Sequence, residues 1–199
     1  VRGSSAIRSD DPSDPIPDSR ASTSIFTRAP ALRASDVRFV RGGADLVAPF
    51  SLTIDAGDAR DLAQPTGFSA SLAARVCGAI VRPTSGTIYV GDYETRLQPP
   101  QAKRRVGFVD VAGFDGDTHA FACEVAFHAQ CWGIARHLAR ERAARVLDAL
   151  SRDDAYARAI ALALVADVDL IVLDQPPGDL AARVRALLPM AALLATRVA

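Results

Sequence analysis

Residues Gln64 to Leu72 read QPTGFSASL, and their spacing is that of a loop built to hold phosphate. Such a loop reads G-x-x-x-x-G-K-S/T. Its glycines let backbone N–H groups close around the phosphate, its lysine reaches the phosphate charge, and its hydroxyl holds magnesium. In that register the chain has Gln64, four residues, Ser69, Ala70 and Ser71, so only the last position keeps the required chemistry. Gly67 is the one glycine left in the loop. A side chain at position 64 or 69 blocks close backbone approach or disfavours a positive φ. Ala70 deletes the cation. A charge-assisted hydrogen bond is worth about 1.5–3 kcal/mol, so its loss weakens phosphate binding by roughly one to two orders of magnitude. Ser71 serves equally well as a hydroxyl that caps or lines a helix start.

Other residues invite chemistry less strongly. His119, Cys123, His128 and Cys131 form H-x3-C-x4-H-x2-C, a pattern that suggests zinc. On one continuous helix, at 100° per residue, they spread over about half the circumference and cannot all meet one ion. No metal site is therefore expected; small buried cysteines and surface histidines are the simpler reading. The acid pairs Asp153-Asp154 and Asp167 with Asp169 suit helix caps and turns. Lys103-Arg104-Arg105 suits a solvated edge, and no Ser/His/Asp arrangement follows from spacing.

The elements that must position the loop are legible in the surrounding pattern. A strand-like segment, Phe50 to Ile54, and a turn, Asp55 to Asp58, precede it; an Ala-rich helix, Leu72 to Ile80, is expected to follow. LRASDVRFV, DLVAPFSLTI, GTIYVG and RRVGFVDV read as strands, which predicts a β-rich first half with one helix inserted. The second half reads as helices. THAFACEVAFHAQCWG places apolar residues at Phe121, Val125, Phe127 and Trp132, and ARHLARERAARVLDAL is amphipathic through Leu138, Ala143, Val146, Leu147 and Leu150. DAYARAIALALVA continues as a helix. DVDLIVLD is an aliphatic run ending in Asp174, typical of a strand buried on both faces of a parallel sheet. AALLATRVA suggests one more buried strand.

The chain has 199 residues, 49% of them apolar and 23% charged, enough for one domain with its own core. Lys+Arg and Asp+Glu both total 23, so no global field draws the chain to nucleic acid or an anionic membrane. Three cysteines, Cys77, Cys123 and Cys131, point to reduced thiols in the cytoplasm. No apolar run reaches the roughly 18–20 residues of a membrane span. Residues 1–30, rich in Ser, Asp, Pro and Arg, are expected to be a disordered tail.

These fragments fall in one order: β-rich start, Gly-centred loop, PTSGTIYVGD, RRVGFVDV, a helical region, and LSRDDAYARAIALALVADVDLIVLDQPP. That order resembles the nucleotide-binding domain of ABC transporters, over roughly Ala31 to the C-terminus. The family reads LSGGQ, a helix, then a hydrophobic strand ending in D-E-P, and the gap from Ser151 to Asp174 matches without insertion. The resemblance implies an α/β P-loop ABC ATPase domain over 31–199, with a parallel core sheet, an antiparallel β subdomain and a reduced helical subdomain at about 112–158.

Carried over residue by residue, the family's site largely fails. The adenine-stacking position falls on Arg41, with Phe39 two positions earlier better read as core. Gly67, Ser69, Ser71 and Asp174 are the vestigial nucleotide-binding candidates. Asp174 keeps the acid that contacts magnesium through water, but the general base that should follow is Gln175, whose amide accepts no proton at neutral pH. The glutamine that faces metal and water aligns with Val111, beside Asp110. The switch histidine aligns with Arg197, and the dimer-facing aspartate with Ala181. In LSRDD, Arg152, Asp153 and Asp154 replace Gly, Gly and Gln, so the two acids would face a phosphate in a partner's site. The resemblance therefore implies a degenerate member with no catalytic residues, for which ATP and magnesium are at most weak ligands. Its expected role is a non-hydrolysing structural or regulatory subunit, partnered by a permease or an active ABC ATPase subunit and reaching a membrane only through that partner. Two alternatives stay open: a divergent ATPase with weak nucleotide binding or hydrolysis, and a decayed domain without activity.

Overall fold

Two kinds of apolar pattern build two sheets in this protein. The structure, a computed structural model, describes residues 29–110, 112–152 and 154–199. The expected tail, up to residue 28, lies outside the described residues, as do Val111 and Asp153. In chain order the elements are β1 (Leu32–Arg41), β2 (Ala44–Ile54), β3 (Ala59–Gln64), α1 (Ala70–Cys77), β4 (Ser85–Val90), β5 (Tyr93–Glu94) and α2 (Pro99–Lys103). They continue as β6 (Val106–Val109), α3 (Thr118–Trp132), α4 (Arg136–Ala149), α5 (Ala155–Ala163), β7 (Leu170–Asp174), α6 (Leu180–Leu187) and β8 (Ala192–Val198).

One sheet has the order β2-β1-β4-β5 and its strands pair antiparallel; the other has the order β3-β8-β7-β6 and is parallel throughout. In the first, Leu32 pairs with Ile54 on one side and with Val90 on the other. A bulge in β1 between Ala34 and Val37 puts Asp36 at φ 50°. Gly86 crosses that bulge so closely that a Cβ there would lie 2.4 Å from the Asp36 carbonyl oxygen. The glycine of PTSGTIYVGD is thus required by packing as well as by its φ of 81°.

In the parallel sheet every residue of β7 is buried. Its side chains alternate between two cores, as the period of two demands. Leu170 and Val172 pack with Leu32, Val76 and Ile88 toward the antiparallel sheet and α1, whereas Ile171 and Leu173 pack with Val146 and Ile160 of α4 and α5. The aliphatic run therefore forms the doubly buried strand its composition implied, and β8 repeats the arrangement beside it. Local signals set the helix ends. Ser69, Asp117 and Asp154 cap α1, α3 and α5 through their side chains, and Gly133, left-handed at φ 67°, ends α3. Among the described residues no helix is long and apolar enough to cross a membrane.

Several expectations need correction. The strand that leads into the Gly67 loop is β3, not the segment ending at Ile54. ARDLAQ shows no apolar alternation because it is an edge strand, defined by its ladder with β8 and not by its side chains. The first helix starts at Ala70 instead of Leu72, set by the Ser69 cap, and stops at Cys77, leaving Ile80 exposed. The first half holds a second, five-residue helix, α2, too short to show a period. On α3 and α4, Phe127 (60% exposed) and Leu138 (43%) turn outward, so the apolar faces are narrower than their sequences suggested.

Candidate functional site

The carboxyl ends of parallel strands are where open α/β sheets place ligands, and here β3 passes through a short loop into the N-terminus of α1. Gln64 is the last residue of β3 and only 1% exposed. Its Oε1 accepts the Ala48 N–H at 2.9 Å, so the side chain turns away from the loop to hold β2. Pro65 to Phe68 form a turn closed by the Phe68 N–H donating to the Pro65 carbonyl at 3.0 Å. Gly67 sits in it at φ 95°, with no neighbour within 4 Å of where a Cβ would be. The Ser69 N–H donates to the Leu46 carbonyl at 2.9 Å, while its hydroxyl accepts the Leu72 N–H at 3.1 Å as the helix cap. Ala70 is buried in the first turn of α1. Ser71 Oγ accepts a hydrogen bond from Gln175 Nε2 at 2.9 Å.

Asp174 ends β7 and is wholly buried. The Thr196 hydroxyl donates to its Oδ1 at 3.5 Å, and its Oδ2 has no hydrogen-bond partner among the described residues. The Tyr156 hydroxyl donates to the Asp174 carbonyl oxygen at 2.8 Å. Burial first, then the charges of Asp174 and Asp110, push the Tyr156 phenol well above its ordinary range. Gln175 adopts a left-handed backbone, φ 49°, pinned by its N–H on the Thr196 carbonyl at 3.1 Å.

The structure thus brings Ser71, Asp174 and Gln175 together and adds Thr196 and Tyr156, which sequence reasoning missed. Both lie inside the segments ATRVA and DAYARAIALALVA, where nothing about their own spacing marks them. Arg197 is exposed and bonds Asp61 of β3 at 2.7 Å. Arg41 closes β1 in the antiparallel sheet and is exposed, while Phe39 packs partly buried against the core there. Asp110 accepts the Ala112 N–H and pairs with Arg75 at 2.9 Å; those contacts, the backbone one foremost, hold its carboxyl below the usual range against a smaller opposing effect of burial.

The LSRDD segment is likewise engaged within the chain. Leu150 is buried, Arg152 pairs with Asp148, and the Asp154 carboxylate accepts the Tyr156 N–H at 2.7 Å as the cap of α5. The acid at position 154 is thus a helix cap, as its residue type suggested, and its carboxylate is engaged within the chain. On α3, which runs unbroken through all four His and Cys positions, Cys123 Sγ lies 3.7 Å from His119 Nε2, and His128 lies 3.9 Å from Glu124. Cys77 is buried, which pushes its thiol up to about 12.

No family model matches the sequence. The ABC transporter ATP-binding protein NatA of Bacillus subtilis (strain 168) is 26% identical over 148 residues, which are 65% of this chain and 58% of that protein. The fold is similar to a solved ATP-binding subunit of an ABC transporter, with a TM-score of 0.63 and 13% identity over 84% of this chain and 80% of the other. It is similar also to cbiO1 from Clostridium perfringens, part of the ABC transporter complex cbiONQ, with a TM-score of 0.61 and 16% identity over 85% and 79% of the two chains. The fold is that of ABC-type nucleotide-binding domains. The architecture is the expected α/β one, and the chain is similar to the ATP-binding subunits of transporters. It spans 58% of the length of the curated relative it matches. A bacterial Atm1-family ABC exporter with ATP bound matches with a TM-score of 0.61 and 16% identity over 86% of this chain and 35% of the exporter.

ATP and magnesium are the ligands that this fold family implies. The loop residues of this chain do not fit the phosphate of ATP. The Phe68 and Ser69 amides donate to protein carbonyls, the lysine position is a buried alanine, and the Ser71 hydroxyl is engaged by Gln175.

Proposed function

We propose that this ABC domain is a non-hydrolysing relative of the transporter ATP-binding subunits, serving a membrane transport complex as a structural or regulatory subunit. One observation carries the reading: Ala70 stands buried where the phosphate-binding lysine belongs, and Gln175, which cannot act as a base, stands after the strand-end acid. The partner is a permease or an active ATPase subunit, and the chain reaches the cytoplasmic face of a membrane through it. An exposed aromatic hollow supports a docking role. Phe127, His128, Cys131 and Trp132 of α3, with Arg104, line a space of about 320 Å³, on the helical side where the family meets its permease.

The test is phosphate release by the purified chain with magnesium and ATP. No turnover above background is expected, and Ala70→Lys alone does not restore it, because the base is missing too. Turnover at an ordinary transporter rate overturns the reading. Head-to-tail pairing around ATP is also lost in this reading, so sedimentation shows no ATP-dependent dimer, alone or with an active subunit.

A second reading, a divergent domain that binds nucleotide weakly, is favoured by the Asp174 Oδ2 atom, a buried carboxylate oxygen of the kind a cation would satisfy. Calorimetry with ATP and magnesium separates the two.

A further inference from the structure

We infer that Gln175 acts as a built-in occupant of the strand-end site of this protein, tying Ser71 to β7 in place of a ligand. The Gln175 Nε2 to Ser71 Oγ bond, 2.9 Å long, joins residues 104 positions apart and is partly shielded from water. It links the first turn of α1 to the end of β7. Gln175 is held for this contact by its left-handed backbone and by its N–H on the Thr196 carbonyl. Two further bonds fix the other side of the loop to β2: Gln64 Oε1 to the Ala48 N–H, and the Ser69 N–H to the Leu46 carbonyl, both 2.9 Å. The loop is thus anchored to β2 at its start and end, and α1 to β7 just beyond it.

Backbone amides, a hydroxyl and a polar side chain at a strand end are the groups an anionic ligand and its cation would organise. In this chain the Phe68 and Ser69 amides and the Ser71 hydroxyl have protein partners, while Asp174 Oδ2 has none among the described residues. A ligand that binds only the folded state raises its stability; a loop and hydroxyl already tied by protein groups must give up those bonds to take one. The inference rests on the reading above only in that the loop takes no nucleotide, and it does not depend on a transport partner.

The experiment is a thermal double-mutant cycle on the full chain with Ser71→Ala, Gln175→Leu and the double variant. Each single change is expected to lower Tm by about 2–4 °C. The double variant falls by clearly less than the sum, because both changes remove the same bond. Ser71→Thr, which keeps the hydroxyl, restores most of the loss. Millimolar ATP with magnesium leaves the Tm of the native chain unchanged. If Gln175→Leu does not fold, NMR replaces it: the Gln175 side-chain amide protons are protected from exchange in the native chain and lose that protection in Ser71→Ala. Strictly additive losses, or an unprotected Gln175 amide, overturn the inference. A native chain that turns over no ATP but is stabilised by it overturns this inference and leaves the non-hydrolysing reading standing. ATP turnover in a chain whose cycle still shows coupling overturns that reading and supports the Gln175 tie.

Discussion

Along β7 and β8 the bodies of the strands and their carboxyl ends obey different rules. Leu170 to Leu173 are apolar, buried and divided in strict alternation between two cores. One step further, Asp174 is just as buried, yet its side chain is polar, and one of its oxygens lacks a partner among the described residues. Gln175 then leaves the strand in a left-handed backbone conformation to reach Ser71. In the bodies, what matters is volume and hydrophobic period, which many sequences supply. At the ends a polar group needs a specific partner, and one left buried without it costs about 1–3 kcal/mol. A sheet can therefore keep its scaffold while the polar groups at its strand ends take internal partners.

The comparison is broken most forcefully in a strand body. Leu173→Ala removes a fully buried side chain from the helical-side core and is expected to destabilise by about 2–5 kcal/mol in urea unfolding. A loss below that of the end-of-strand variants would show that the bodies are less constraining than their packing implies.

Two glycines sharpen the contrast. Gly86→Ala drives a Cβ to 2.4 Å from the Asp36 carbonyl, at a positive φ, and is expected to cost about 2–4 kcal/mol from overpacking and strain together. Gly67→Ala meets no neighbour within 4 Å and carries only the backbone penalty, about 1–2 kcal/mol. Equal midpoint shifts for the two would refute the distinction between a glycine needed for packing and one needed only for its turn.

A smaller effect is expected at LSRDD. Asp154→Ala removes the side-chain cap of α5, with a loss of about 1 kcal/mol. Asp154→Asn retains an acceptor and should recover most of it. If neither variant changes stability, the carboxylate does not serve α5 as its cap geometry indicates.

The smallest concerns acid. Asp110 has its native carboxyl held below the ordinary range, first by the Ala112 N–H and then by Arg75. Its contribution is present above the unfolded value of about 3.9 and is lost as pH falls through the depressed native value. In urea titrations from about pH 5 down to pH 2, Asp110→Asn should therefore lose less stability than the native chain. The difference is modest because the Asp110–Arg75 pair faces solvent. Parallel curves for the two proteins would remove Asp110 from the set of engaged strand-end groups.

Much of this protein is legible without coordinates because it depends on local pattern. The aliphatic run before Asp174 marked a strand buried on both faces. The order of PTSGTIYVGD, LSRDD and VDLIVLDQPP marked the resemblance to ABC nucleotide-binding domains. The residue types at Ala70 and Gln175 supply neither a cation nor a base, since no fold turns a methyl group into a cation or an amide into a base. Tertiary structure alone decided what the altered residues do instead. Edge strand β3 carries no apolar signature, so nothing in ARDLAQ placed Gln64 at a strand end with its amide turned to Ala48. The partners Ser71 and Gln175, Arg197 and Asp61, and Tyr156 and the Asp174 carbonyl are 104, 136 and 18 positions apart. Hydrophobic periodicity reports which face of an element is buried, but a hydrogen bond requires two atoms within about 3 Å in a particular direction. That distance exists only once the sheet has set β3, β7 and β8 side by side.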